Sequence, residues 1–211
     1  MSDPGPHPRT GRTEGRREAA ISGHEGTVDL ARRLLEHPDA GTRATALAAL
    51  SRMGRVETAA LRVALADPSP VVRRRATVLA IDHPDVSLIP LLGDVDDTVV
   101  EAAAYACGER QPAEPGVVAA LATVATDHGD GLCREAAVAA LGALGDESGL
   151  AAILAATRDR ATVRRRAVIA LAPFAGPEVD AALTRARADR DWQVRQTAED
   201  IGAAASSPED G

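Results

Sequence analysis

Apolar residues recur along this chain with two periods, one helical and one near thirty residues. The clearest copy of the longer pattern is GLCREAAVAALGALG at 131–145. At about 100° of turn per residue, Cys133, Ala137, Ala140, Leu141 and Leu144 fall within one arc of a helix. With Arg134 as the anchor, comparable phrases sit at Arg43, Arg73, Glu101, Arg164 and Arg195, giving successive spacings of 30, 28, 33, 30 and 31 residues. Alanine stands three positions after every anchor, at Ala46, Ala76, Ala104, Ala137, Ala167 and Ala198. A fixed period of this length predicts stacked supersecondary units, each burying its apolar face against its neighbours.

A second, shorter helical pattern precedes each phrase, so the unit is a pair of helices, A then B. The spacing predicts pairs at 27–36 and 42–53, 56–66 and 71–81, 86–92 and 98–107, 116–126 and 132–144, 148–156 and 162–174, and 178–188 and 192–204. Breakers separate them: Pro38 ends the first A helix, Gly54 the first B helix, and Ser69-Pro70 opens the second B helix as cap and first turn. Asp39, Asp67, Asp97, Asp130, Asp159 and Asp191 lie four to six residues before the anchors, placed to cap a helix and to meet an Arg of a neighbouring repeat. Glu101 interrupts that series at the third repeat. The expectation is an all-α, right-handed α-solenoid of about six helical hairpins over residues 25–203. Residues 1–24, rich in Pro, Gly and Arg, read as a disordered leader, and 204–211 as a flexible tail.

Composition narrows the chemistry. Aromatic residues make up 1% of the chain, so burial must come from Ala, Leu, Val and Ile. All 24 basic residues are Arg, and without Lys there is no phosphate-loop lysine, Schiff base or lysine general base. The net charge of −7 argues against a surface built throughout for nucleic acid. Cys107 and Cys133 occupy apolar positions of different repeats and read as core residues in a reducing, cytoplasmic setting. No stretch approaches the length and apolarity of a membrane span. His24-Glu25 is the lone His-Glu pair, and no zinc, thiol-redox or nucleophile-elbow motif occurs. No catalytic residue, metal ligand or cofactor is therefore expected.

The phrase D-x-x-x-V-R-x-x-A-x-x-A-L-x-x-x-G, best preserved at 130–145 and 159–176, resembles the HEAT repeats of the phycobilin-lyase-like subtype. The resemblance implies a HEAT-type solenoid across 25–203 and a non-enzymatic scaffold or adaptor holding a protein or peptide on its inner, B-helix side. The candidate contacts are Arg74, Arg75, Val78, Tyr105, Arg165, Arg166 and Ile169, from the outward positions and the two triple-Arg runs. A monomer is the default. Two other readings stay open at this stage: an array touching nucleic acid through Arg74, Arg75, Arg165 and Arg166, and a bilin-lyase-type enzyme. Trp192, at the start of the last B helix, is expected to cover the joint between the final two repeats.

Overall fold

The computed structural model describes residues 8–25 and 27–206, and among them the secondary structure is entirely helical. The helices are α1 (Pro8–Glu25), α2 (Val28–Leu34), α3 (Ala40–Arg52), α4 (Thr58–Leu65), α5 (Pro70–Leu79), α6 (Asp97–Glu109), α7 (Val117–Asp127), α8 (Gly131–Leu144), α9 (Leu150–Ala156), α10 (Ala161–Ala170), α11 (Pro177–Arg187) and α12 (Trp192–Ser206). They pack as repeated hairpins in an α-solenoid architecture. The A helices are α2, α4, α7, α9 and α11; the B helices are α3, α5, α6, α8, α10 and α12. In the third repeat the A element shrinks to a 3₁₀ turn, Ile89–Gly93, because Pro84 and Pro90 leave no room for a full helix.

Ala46, Ala76, Ala104, Ala137, Ala167 and Ala198 are all at 0% exposure. The positions just before the anchors, among them Thr42, Val72, Cys133, Val163 and Val194, are buried beside them. Small side chains let neighbouring helices approach within van der Waals distance, and the enclosed atoms gain dispersion contacts on every side.

The register of α6 differs from the sequence reading. Five B helices begin three residues before their anchors, at Ala40, Pro70, Gly131, Ala161 and Trp192. By the same rule α6, which begins at Asp97 behind the capping Asp96, has Val100 rather than Glu101 as its anchor. Val99, Ala103, Ala106 and Cys107 then fall on the buried phase. Glu101 is one place further on and exposed. Ala104 becomes the +4 residue and Ala103 the +3 residue, and both are fully buried.

Contacts divide the chain into two compact units, residues 1–87 and 88–211. In the first, α1 packs along α3 in the manner of an earlier B helix. The described part of the segment expected as a disordered leader is this helix. Gly15 and Ala19 supply the same small-residue stripe as the recognised repeats, Ala19 joining a cluster with Leu34 and Ala46, and Arg16 Nε donates to Asp39 Oδ2 at 3.0 Å. A B helix of this type packs through small residues rather than large apolar ones, so the segment carries little hydrophobic signal. Residues 1–7 of that leader lie outside the described residues. At the other end α12 continues to Ser206, so the start of the expected tail is helical, while 207–211 lie outside the description. Trp192 stays 65% exposed at the first turn of α12; Val194, two residues on, fills the joint in its place.

A ladder of arginines ties successive hairpins together. Arg43 grips Asp67 through Nε and Nη2 at 2.8 and 2.7 Å, Arg134 grips Asp159 at 2.6 and 2.9 Å, and Arg164 grips Asp189 at 2.9 and 2.7 Å. The remaining Nη1 donates to carbonyls of the same residue's own hairpin turn: His37 and Pro38 for Arg43, His128 and Gly129 for Arg134, Asp159 for Arg164. Each guanidinium therefore fixes its own turn and the next one with one planar fork. The rung acid at the last joint is Asp189; the expected Asp191 instead caps α12. At the α6 position Val100 has no guanidinium, and the turn ahead of α8 carries His128 where Asp67 and Asp189 stand in their turns. Donor and acceptor of that rung are missing together.

These bonds set the acid response. The Arg134 guanidinium holds the Asp159 carboxyl below its usual range against the opposing effect of burial, and Arg164 does the same for Asp189. For Asp67, burial is the largest influence and pushes upward, but the bonds from Arg43 and the Ser69 N–H outweigh it. Carboxylates depressed in the folded state contribute stability above their unfolded value of about 3.9 and lose it as pH falls through the folded value.

Two measurements test this packing. Ala137→Leu should overfill the core and cost about 1–3 kcal/mol, whereas Ala139→Leu, two positions away on the open face, should shift thermal unfolding by less than about 0.5 kcal/mol; equal damage would contradict the assigned faces. Asp159→Asn should lower stability at neutral pH by about 1–3 kcal/mol and flatten its decline below about pH 4, as read by denaturant titrations across pH.

Candidate functional site

Position +5 of the B helices holds four of the large apolar side chains left exposed among the described residues: Ile21, Val78, Tyr105 and Ile169. In the first unit it is occupied by Ile21 of α1, Ala48 of α3 and Val78 of α5. In the second unit it is occupied by Tyr105 of α6, Ala139 of α8, Ile169 of α10 and Asp200 of α12. Tyr105 is 52% and Ile169 43% exposed. Tyr105 reaches this row only because α6 is anchored at Val100.

In the second unit the row opens into a groove of about 510 Å³ between α8 and α10. Ala139, Gly142 and Ala143 form one wall, and Ile169, Pro173 and Arg166 line the other. The helices touch at its floor: a Cβ on Gly142 would lie 2.6 Å from both Cα and Cβ of Ala170. Gly108 meets Ala140 similarly between α6 and α8, at 2.8 Å from Cα. Glycine thus brings the B helices together, and the alanines beside it leave the space above unfilled.

The charged candidates divide by position. In each triple-Arg run the first member belongs to the fold: Arg73 Nη1 donates to the carbonyls of Asp67 and Pro68, and Arg164 is buried on Asp189. The later members face outward. Arg166 lies 3.6 Å from Glu135 at the groove wall. Arg74, Arg75 and Arg165 make no hydrogen bond or ion pair among the described residues. Arg74, Arg75 and Val78 belong to the first unit, and Tyr105, Arg165, Arg166 and Ile169 to the second. A second cavity of about 220 Å³ lies in the first unit between α2 and α4, beneath the exposed Val63. Its polar lining is Arg32, Glu36 and the Arg43–Asp67 pair, whose forks are already occupied by each other.

One cluster escaped the sequence reading. Asp97, His128 and Cys133 bring a carboxylate, an imidazole and a thiol within 4.8 Å of one another. The imidazole is turned to a structural task, because its Nδ1 accepts the N–H of Asp130 at 3.1 Å, as His37 Nδ1 does from Asp39 at 3.0 Å. That bond puts the proton of the neutral ring on Nε2, the atom facing Asp97, where a metal ligand would need a lone pair. Cys133 Sγ donates to the Asp97 carbonyl at 3.2 Å. Burial, with Asp130, Asp97 and Glu101 nearby, raises its pKa to about 12, and burial does the same for Cys107. Both thiols are protonated at neutral pH and are weak nucleophiles.

With the geometry in place, comparison with known proteins decides the family. The sequence model described as HEAT repeats matches residues 85–172 and 118–201, more than half of the chain. The chain belongs to the HEAT-repeat family. Among solved structures, a designed armadillo repeat protein in complex with the peptide (KR)4 is similar with a TM-score of 0.61 and 17% identity, over 82% of this chain and 97% of that one. An engineered protein from a structural genomics consortium is similar with a TM-score of 0.61 and 20% identity, over 93% of this chain and 64% of that one. At such identities the likeness shows the solenoid fold. No curated protein matches the chain. No helix among the described residues of this HEAT-repeat protein is long and apolar enough to cross a membrane.

Gly142→Ala tests how tightly the groove floor is built. The added methyl meets backbone, so the variant should lose about 1–3 kcal/mol of stability, read from its thermal midpoint. The same change at Gly129, with nothing within 4 Å of the new Cβ, should leave the midpoint near its parent value.

Proposed function

We propose that this HEAT-repeat protein is a non-enzymatic scaffold or adaptor that binds a protein or peptide partner on its B-helix face. The observation that carries the proposal is the +5 row. Core packing requires small residues at +3, and it receives them without exception; nothing in the fold requires Ile, Val or Tyr at +5. Within each unit, exposed apolar side chains at this position, Ile21 and Val78 in the first and Tyr105 and Ile169 in the second, make a surface suited to an extended chain or a helix face. A peptide seated on a designed armadillo protein of the same fold supports the reading by analogy.

The repeats are read as the phycobilin-lyase-like subtype on the phrase at 159–176, but no side chain on the B-helix face favours bilin chemistry over simple binding. The two free, buried thiols fit a reducing, cytoplasmic location. Nucleic acid is the second reading, favoured by the unpaired Arg74, Arg75 and Arg165. The net charge of −7 and the lack of an aromatic series weigh against it.

Affinity capture from native extract with the parent protein and an Ile169→Asp variant separates these readings. The expected outcome is a protein retained at high salt by the parent and lost by the variant, with both melting alike. Retention of DNA or RNA that vanishes with salt and with reversal of Arg74, Arg75, Arg165 and Arg166 would replace this proposal by the second reading. Capture unaffected by Ile169→Asp would remove the α10 row from the site.

A further inference from the structure

We infer that the groove between α8 and α10 takes an acidic peptide segment: an aliphatic or aromatic anchor residue flanked by Asp or Glu. The inference rests on the peptide-binding reading and specifies the chemistry of its ligand. The groove walls are apolar through Ala139, Ala143, Ile169 and Pro173, and its volume of about 510 Å³ is ample for one large side chain. The one charged residue in its lining is Arg166. Glu135 approaches Arg166 at 3.6 Å, beyond hydrogen-bonding distance, so the guanidinium retains donors for another acceptor.

Arg165, next along α10, has no partner among the described residues, and Arg164, the third cation of the run, is fully engaged by Asp189. Arg166 in the lining, and Arg165 beside it in the sequence, thus keep donors to spare, while Arg164 is spent on the fold. A carboxylate arriving beside an apolar anchor would supply the acceptor that Arg165 lacks, with a planar fork suited to it. A Lys- or Arg-flanked anchor of the same size would meet the like charge of Arg166 and be disfavoured.

The test uses random 12-residue peptides displayed on phage, panned against the full chain at physiological salt. Enriched peptides should carry a Leu, Ile, Phe or Tyr next to Asp or Glu. Their retention should fall by at least about tenfold on the Arg165→Glu/Arg166→Glu variant, a range seen for partly buried interfacial charges. Retention should fall similarly on Ala139→Leu, which fills the groove without touching the core face. Enrichment of Lys- or Arg-flanked anchors that Ala139→Leu abolishes would overturn the acidic ligand and leave the peptide-binding reading standing. No enrichment, or enrichment indifferent to Ala139→Leu and Ile169→Asp alike, would overturn both. Thermal midpoints of the three variants close to that of the parent keep a loss of binding from being read as a loss of fold.

Discussion

The close approach of neighbouring B helices is the constraint on which everything else depends. It is set by side chains that are almost not there: alanine at +3 throughout, glycine at +8 in α6 and α8, where one added methyl would collide with the backbone of the next helix. With little volume per residue to bury and few aromatics, the fold gains stability from contact density rather than from large side chains. That economy explains the arginine ladder. A thin core leaves the hairpin turns near the surface, and a guanidinium that bonds two turns at once supplies order where packing is sparse.

The same constraint shapes the candidate site. Helices held together at a glycine floor, with alanines flanking it, leave a groove above, and the groove of α8 and α10 is a by-product of how the two helices touch. Because the floor is fixed by backbone contact, the groove is built on rigid elements, and the side chains free to vary beside it stand at +1, +2 and +5. Arg165 and Arg166 illustrate the division of labour within three consecutive residues: Arg164 holds the fold, and its two neighbours are left over for other use.

Much of the architecture was legible because a buried position tolerates so little. The alanine phase, the hairpin pairing and the rungs Arg43–Asp67 and Arg134–Asp159 follow from residue type at fixed spacing, whereas the acid that Arg164 meets is Asp189 and not the expected Asp191. Two features were not legible for the same reason. In α6 a run of alanines, Ala102 to Ala104, satisfies the small-residue rule in more than one register, and the correct one is marked only by the capping Asp96. In α1 the stripe is Gly15 and Ala19, residues that carry no hydrophobic signal in a segment rich in Pro, Gly and Arg; the nearby Arg16 was the clue, since it stands 27 residues before Arg43. The candidate site was legible as a row but not as a groove. Sequence placed Ile169 and Arg166 on the open face, whereas the volume beside them depends on the touch between Gly142 and Ala170.

The missing rung at Val100 gives the second unit an uneven character. The joints from α8 to α10 and from α10 to α12 each rest on a carboxylate, while α6 and α8 are joined by apolar contact, a glycine and the bond from the Cys133 thiol to the Asp97 carbonyl. Protons that neutralise Asp159 and Asp189 therefore weaken two joints directly. Acid thus loosens the second unit unevenly, beginning at the joints that carry a rung.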